Sequence, residues 1–516
     1  MIVSIHRAAS LLHRPARALL LLGVATALAW ARPAAGQTTS FRGTILYEKI
    51  PVGRNGLDLE NPVPTPAAGV KVEIVASPAR TVLGSGFTDE KGGYSIPVRM
   101  GRQTQVYVRA LAQTENAQVV RAGDRAEFSM VSEPFAPGRT RTVQRDLLAT
   151  DSSRVAGAFN IAATIHRANA LVRSARPDVE LPRVEIRWDT TYMGGSFFRE
   201  REGVAYINGR RGRDSDEYDD HVIAHEYGHF LMSSFSRESS PGGSHGFGEQ
   251  LDPRLAWSEG WGNFFGAATT GSAHYIDTGM TRGRQVVLVS MDLEDDVPTG
   301  DRPGIWSEHS VAGVLWDWFD DTAEEGDPVM LGFIPLWNAF AELGKEPDVY
   351  LLRFANVLAA ATKQNRLLAA GLAARGIAYP PGEEPPAPQP FPEPLTSGTP
   401  VEGAVDSRRT RRSNLWGSSA HYWFVVPEAG QVSITMKIVE ARDTAHADLD
   451  LYLYDAAGES VAHSNAVNGV GDTERISRRL EPGYYRVEVR SWSNSNGARL
   501  SDRTAHQGTF TLLARY

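Results

Sequence analysis

Hydrophobic and polar positions change rhythm three times along the chain. Between Phe41 and Asp146, short stretches such as Val70-Lys71-Val72-Glu73-Ile74, Tyr94-Ser95-Ile96-Pro97-Val98 and Val106-Tyr107-Val108 alternate with period two around a Gly-rich turn at 88–93. That period puts one face of each strand on a core and predicts a small β-sandwich. From 152 to 173 the apolar residues Val155, Phe159, Ala162, Ile165 and Val172 recur at helical spacing, interrupted by Asn169. Strands are predicted at 184–188 and 204–207. A helix capped by Asp214 or Asp216 follows, then a Gly/Ser-rich loop at 233–248 and a helix opened by Asp252-Pro253. Two more helices are expected at 310–321 and 348–363, which makes this block α+β and mostly helical after Asp214. A Pro-rich stretch at 380–394 cannot build a core. Beyond it Tyr422-Trp423-Phe424-Val425-Val426, Asp448-Leu449-Asp450-Leu451-Tyr452 and Tyr484-Tyr485-Arg486-Val487-Glu488 alternate again, predicting a second β-sandwich.

The expected organisation is therefore a multidomain chain. It comprises a leader at 1–36, an N-terminal β-sandwich at 37–148, a central mostly helical block at 149–378, a linker at 379–413 and a C-terminal β-sandwich at 414–516. The leader reads as a secretory signal peptide. Arg7, Arg14 and Arg17 precede an apolar run at 18–31, and the small residues Ala34, Ala35 and Gly36 follow. A run of about 14 residues falls short of the roughly 20 that span a bilayer, and no second apolar run of membrane length follows. Loss of this leader removes four Arg and no acid, taking the formal charge from −8 to −12. A moderately acidic chain argues against nucleic acid as a partner. It has no cysteine, so any metal must be held by His and carboxylate.

One string states a chemistry. His225-Glu226-Tyr227-Gly228-His229 reads H-E-x-x-H, and on a helix its two histidines stand about 40° apart and roughly 6 Å along the axis, within reach of one metal ion. Glu226 flanks the same face, placed to handle a proton. A hydrolytic zinc takes three protein ligands and keeps one position for water, so a third ligand is needed. A third histidine six residues after His229 is excluded, because Phe235 stands there and Met232 replaces the accompanying glycine.

Thirty residues after His229 comes Trp257-Ser258-Glu259-Gly260-Trp261-Gly262. With the first motif, this phrase resembles the thermolysin-like glutamate zincins. The resemblance implies one catalytic Zn2+ held by His225, His229 and Glu259, with Glu226 as general base. Asn263 occupies the position where the family often has an acid, so it can accept a bond from a ligand histidine without adding charge. His309, opening His309-Ser310-Val311-Ala312-Gly313-Val314, is the implied transition-state donor. Tyr218 or Tyr227 remains an alternative, as does a helix-start histidine of no special role. Strand 204–207 is expected at a sheet edge beside substrate, where Tyr206 and Asn208 either touch substrate backbone or are plain strand residues. His245 reads as a solvent residue.

The phrases Gly69-Val70-Lys71-Val72, Gly86-Phe87-Thr88-Asp89 and Gly92-Gly93-Tyr94 resemble a carboxypeptidase regulatory-like domain. The strands after residue 414 resemble the bacterial pre-peptidase C-terminal domain, in which aspartates of some relatives bind Ca2+. Asp448 and Asp450 are the candidates here, against the reading of a solvent-facing pair. The function implied is a secreted zinc metallopeptidase acting on protein or peptide. Its rivals are an inactive adhesion protein with a protease-like block, and a zinc aminopeptidase.

Overall fold

The computed structural model describes residues 37–101, 104–294, 303–321, 329–377, 391–406, 414–441, 448–467, 469–491 and 507–516. The leader, most of the Pro-rich linker and the basic patch at 408–412 lie outside the described residues.

Period-two sequence becomes strand in the first block. The long strand β1 (Gln37–Lys49) runs through one sheet, and β2 (Lys71–Ser77) is central in the other. β3 (Gly93–Met100) pairs antiparallel with β1, Phe41 opposite Ile96, and buries Tyr94, Ile96, Val98 and Met100 in strict alternation. β4 (Gln105–Leu111) pairs with β2. The next strand, β5 (Ala117–Arg121), leaves the sandwich and joins the middle of the chain, running parallel to β6 (Val184–Trp188) with Val119 opposite Ile186. β7 (Phe197–Arg199) and β8 (Val204–Tyr206) complete a sheet of order β7-β8-β6-β5.

Between β5 and β6 lies α1 (Ala156–Ala175). Its buried Asn160 bridges blocks, accepting from Tyr47 Oη at 2.9 Å and donating to the Glu217 carbonyl at 2.8 Å. α2 (Asp220–Phe235) carries H-E-x-x-H and α3 (Pro253–Thr270) carries Glu259. A hairpin of β9 (His274–Thr281) and β10 (Arg284–Asp292) follows, then α4 (Glu308–Phe319), α5 (Phe333–Glu342), α6 (Leu351–Thr362) and α7 (Asn365–Ala374). Among the described residues no helix is long and apolar enough to cross a membrane.

The tail folds as two sheets. β11 (Ser419–Val426) pairs with β15 (Gly483–Ser491), which pairs with β13 (Leu449–Asp455). β12 (Gly430–Ala441), β14 (Thr473–Leu480) and β16 (Gln507–Arg515) belong to the other sheet. Two hydrophobic cores result: one runs unbroken from Phe41 to Leu415, and a second, from Leu395 to Ala514, belongs to the tail.

Several expectations are corrected. The mostly helical zincin-type middle does not stand, because the chain is about 39% strand and 26% helical and several sheets are spread along it. The middle takes a strand from the N-terminal sandwich into its own sheet and adds a nine-residue hairpin arm that helical periodicity gave no hint of. Strand 204–207 is not an edge, since β7 folds back onto β8 and takes the outer position. Neither Asp214 nor Asp216 caps α2: the residue before it is Asp219, whose carboxylate accepts instead from Thr278 N and Oγ1 of β9. Asp252 does cap α3, accepting from Arg254 N at 2.9 Å with Pro253 in the first turn.

Candidate functional site

Close approach of α2 and α3 builds the site. A Cβ added at Gly262 would stand 2.7 Å from His225 Cε1, so only glycine lets the two helices meet at that depth. The meeting brings His225 Nε2 and His229 Nε2 to 3.0 Å from each other, and Glu259 Oε2 to 3.2 and 3.5 Å from them.

The second nitrogen of each ring is committed elsewhere. Asn263 Oδ1 can only accept, so His225 Nδ1 donates to it at 2.9 Å. Ser258 Oγ donates to Glu238 Oε2 at 2.7 Å and is thereby free to accept from His229 Nδ1 at 3.2 Å. Both Nε2 lone pairs then face one another and a carboxylate, in a pocket where His225 and Glu259 are buried. Two lone pairs and an anion converging in a buried space call for a cation, and the donor set of two imidazoles and one carboxylate fits zinc. With only protons to balance Glu259, burial lowers His229 but the carboxylate outweighs it and raises that histidine to about 9. Glu259 itself is held well below the carboxylate range, its burial overcome by His229, His225 and His245.

Glu226 lies beside this centre, 7% exposed and lining the same cleft. Burial pushes its carboxyl upward against the pull of His225 and His229. The cleft has a volume of about 860 Å³. One wall is the edge strand β7, another is the loop around Gly242, Gly243 and His245, and a third carries Asp214, Asp216, Tyr275 and Asp277.

The sequence-predicted residues divide. His225, His229, Glu259 and Glu226 come together, whereas His309 is buried in α4 and does not line the cleft; its neighbour Glu308 does, raised to about 7 chiefly by burial. The tyrosine alternatives point into other contacts, Tyr218 donating to Asp151 and Tyr227 to Asn169. Asn208 lines the cleft, but its amide is engaged with Gly195 N and Asp214. Tyr206 donates to Glu202 and accepts from Arg187.

His245, expected in solvent, reaches Glu259 Oε2 at 3.3 Å with its side chain 28% exposed. Burial lowers it, the bond to Glu259 outweighs that, and it is raised to about 10. Tyr275, its ring centroid 6.2 Å from that of His225, is a second cleft residue that the pattern did not reveal. Asp450 is buried rather than solvent-facing, and among the described residues no trio of metal-ligating side chains includes it or Asp448.

Comparison with known proteins adds a context. The family described as mycolysin C-terminal domain matches residues 173–335, just under a third of the chain, a span that holds His225, Glu226, His229, Glu259 and His309. This is a domain found in secreted peptidases. No curated protein matches. Among solved structures, the pre-peptidase C-terminal domain of a collagenase from Bacillus anthracis is 14% identical, covering 24% of this chain and 92% of that one with a TM-score of 0.17. A periplasmic inhibitor of g-type lysozyme from Aeromonas hydrophila is 14% identical over 24% and 92%, with a TM-score of 0.16. Likenesses this slight carry no argument about function.

Proposed function

We propose that this chain is a secreted zinc-dependent peptidase, most simply an endopeptidase, with His225, His229 and Glu259 as metal ligands and Glu226 as general base. The observation that carries the reading is the convergence of two imidazole lone pairs and one buried carboxylate oxygen beside a second, unpaired-with-metal carboxyl in an open cleft. When bound, zinc lowers the pKa of water to about 7 and polarises the scissile carbonyl. The rest is done by the chain. Glu226, raised by burial toward the pH at which it works, takes the proton of the attacking water and delivers it to the leaving amine. Asn263 and the Ser258–Glu238 pair hold the two ligand rings in the tautomer that presents Nε2. His245 is the cleft donor suited to the oxyanion, a role for which His309 lacks access.

The substrate is a polypeptide in extended form. β7 offers an unpaired strand edge as one cleft wall, and an extended chain laid against it presents its carbonyls to the metal centre. Secretion is supported by the leader pattern at 1–36 and by the peptidase context of the matched domain.

The test is hydrolysis of a denatured protein and of an N-acetylated peptide by the zinc-loaded chain. Cleavage of both, its loss on chelation, and a fall of at least about a hundredfold in Glu226→Gln with zinc retained are expected. Absence of stoichiometric zinc would sink the assignment. Cleavage of free but not blocked peptides would make the chain an aminopeptidase, and a zinc-loaded chain that cleaves nothing would be an adhesion protein.

A further inference from the structure

Three aspartates in the same cleft take no part in the chemistry above. Asp214 opens a two-residue strand ahead of α2, Asp216 directly follows that strand, and Asp277 belongs to β9. One carboxylate oxygen from each lies within 4.8 Å of the other two, so a single point exists within about 2.8 Å of all three. In each aspartate Oδ1 is sealed from solvent and accepts no hydrogen bond. Asp216 is the most buried, 3% exposed, and its other oxygen is held by Ser196; the other oxygen of Asp214 accepts from Asn208 Nδ2 at 2.7 Å. Among the described residues no Lys or Arg pairs with any of them. Carboxylates this close, one of them almost fully desolvated, repel one another, with His225 opposing this at Asp277. Burial first, and then the neighbouring aspartates, push Asp216 well above its usual range, and burial with Asp214 raises Asp277 to about 7.

We propose that Asp214, Asp216 and Asp277 form a calcium site in the wall of the cleft. An all-oxygen, all-carboxylate set suits a hard cation with bonds of about 2.3–2.6 Å, whereas zinc prefers the imidazoles of the other centre. Calcium takes six to eight oxygens, so three carboxylates leave positions for water from the cleft. A lysine or arginine side chain of a substrate is the poorer occupant, because a bare ion needs far less room between three oxygens this close than an ammonium on its stem. The ion would tie the lead-in of α2 to β9, a junction that already holds Met280 N on the Arg213 carbonyl and Thr278 on Asp219. It would thereby fix Tyr275, two residues before Asp277, against His225. This inference stands on the aspartates and does not depend on the peptidase reading.

The experiment is calcium titration of the chelator-treated full chain and of Glu226→Gln, read by equilibrium dialysis and by thermal unfolding, with Mg2+ as control. Expected are one Ca2+ per chain in both proteins and a rise in Tm of about 5 °C at a hundredfold excess over Kd. Both effects should vanish in Asp216→Asn and in the less buried Asp277→Asn, with zinc uptake unchanged. Should those variants fail to fold, Tb3+ emission excited through Tyr275 in the unmutated chain should fall on adding Ca2+ and be lost in Tyr275→Phe. No calcium uptake at millimolar concentration, or uptake indifferent to both aspartates, overturns the proposal. So does an Asp277→Asn chain that loses preference for basic substrate side chains while the unmutated chain takes up no calcium, which would make the cluster a substrate subsite.

Discussion

β1 meets α2 at its first residue, and β11 meets α3 at its cap while β15 reaches the same cluster through Asp348, so each sandwich holds the start of one of the two helices that carry the proposed metal ligands. The contacts are made of different material. On the N-terminal side, Lys49 pairs with Asp220, which also takes Arg167 and Asn160 Nδ2 at 2.9 Å, and this partly exposed charged knot lies at the rim of an apolar core shared by both blocks. A carboxylate at a helix start also meets the positive end of the helix dipole. On the C-terminal side the main cores are separate, and a buried charge cluster joins them beside the rings of Phe391, Trp416 and His421. Arg254 pairs with Asp252 at 2.8 Å and with Asp348 at 3.6 Å; His421 reaches Asp252 at 3.2 Å, and Arg486 reaches Asp348 at 3.4 Å. An apolar junction tolerates the loss of one polar partner, because the area it removes from water remains. A charged junction does not, because each ion is held in place only by the others.

The contrast can be broken at several scales. Deleting 37–148 should leave no cooperatively folding product, since it strips β5 from the central sheet and opens the shared core, whereas deleting 414–516 should leave a cooperative unfolding transition in the remainder; calorimetry of the two truncations decides it. Next in size, Arg254→Ala takes the shared guanidinium from two buried carboxylates, leaving Asp252 to His421 and Asp348 to Arg486, and should cost about 3–5 kcal/mol, with amide exchange rising first in β11 and β15. Tyr47→Phe leaves Asn160 Oδ1 without its donor and should cost only about 1–3 kcal/mol in thermal unfolding, with the N-terminal sandwich still attached. Acid should produce the smallest and most selective effect. Burial raises Asp252, but Arg254 and His421 outweigh it and hold the carboxyl well below its usual range. The native state therefore binds this proton less readily than the unfolded chain, so the contribution is complete above the unfolded pKa of about 3.9 and fades as pH falls below it. As pH falls below about 3.9 the tail should loosen before the N-terminal block, which keeps its shared apolar core even though Asp220, likewise held low by Lys49 and Arg167, is protonated in turn; coincident loss of both by intrinsic fluorescence and exchange would refute the distinction.

Sequence pattern served best where one residue's neighbours decide its structure. β3 was legible because period two holds over eight residues, and the start of α3 because Asp252-Pro253 satisfies its own first turn. It served worst where a partner distant in sequence decides. β7 is three residues long and exists only because β8 lies beside it. The β9–β10 turn is made by Arg282 and Gly283, both with positive φ, without the Asn-Gly signature that marks such turns. The approach of His225 to His229 was readable from spacing, since an i, i+4 pair is a property of one helix, whereas Glu259 followed only from the resemblance of its phrase. The acid cluster was not, because Asp277 comes to Asp214 and Asp216 only through the hairpin. His309 failed for a simpler reason: adjacent helical residues point about 100° apart, and the phase of α4 gives the cleft to Glu308.

Asn414, at the start of the tail, donates through Nδ2 to the carbonyls of Gly242 at 3.0 Å and Ser244 at 3.1 Å, on the loop that presents His245. Its own carbonyl accepts from Asp252 N at 2.8 Å, and Trp416 N donates to the Gln250 carbonyl. The mouth of the cleft is thus assembled from two lengths of chain about 170 residues apart. A protein cut to the block that bears the proposed metal ligands keeps its floor and loses part of its doorway. Exchanging one tail for another, in the laboratory or over evolutionary time, would alter what the centre admits while leaving every ligand in place.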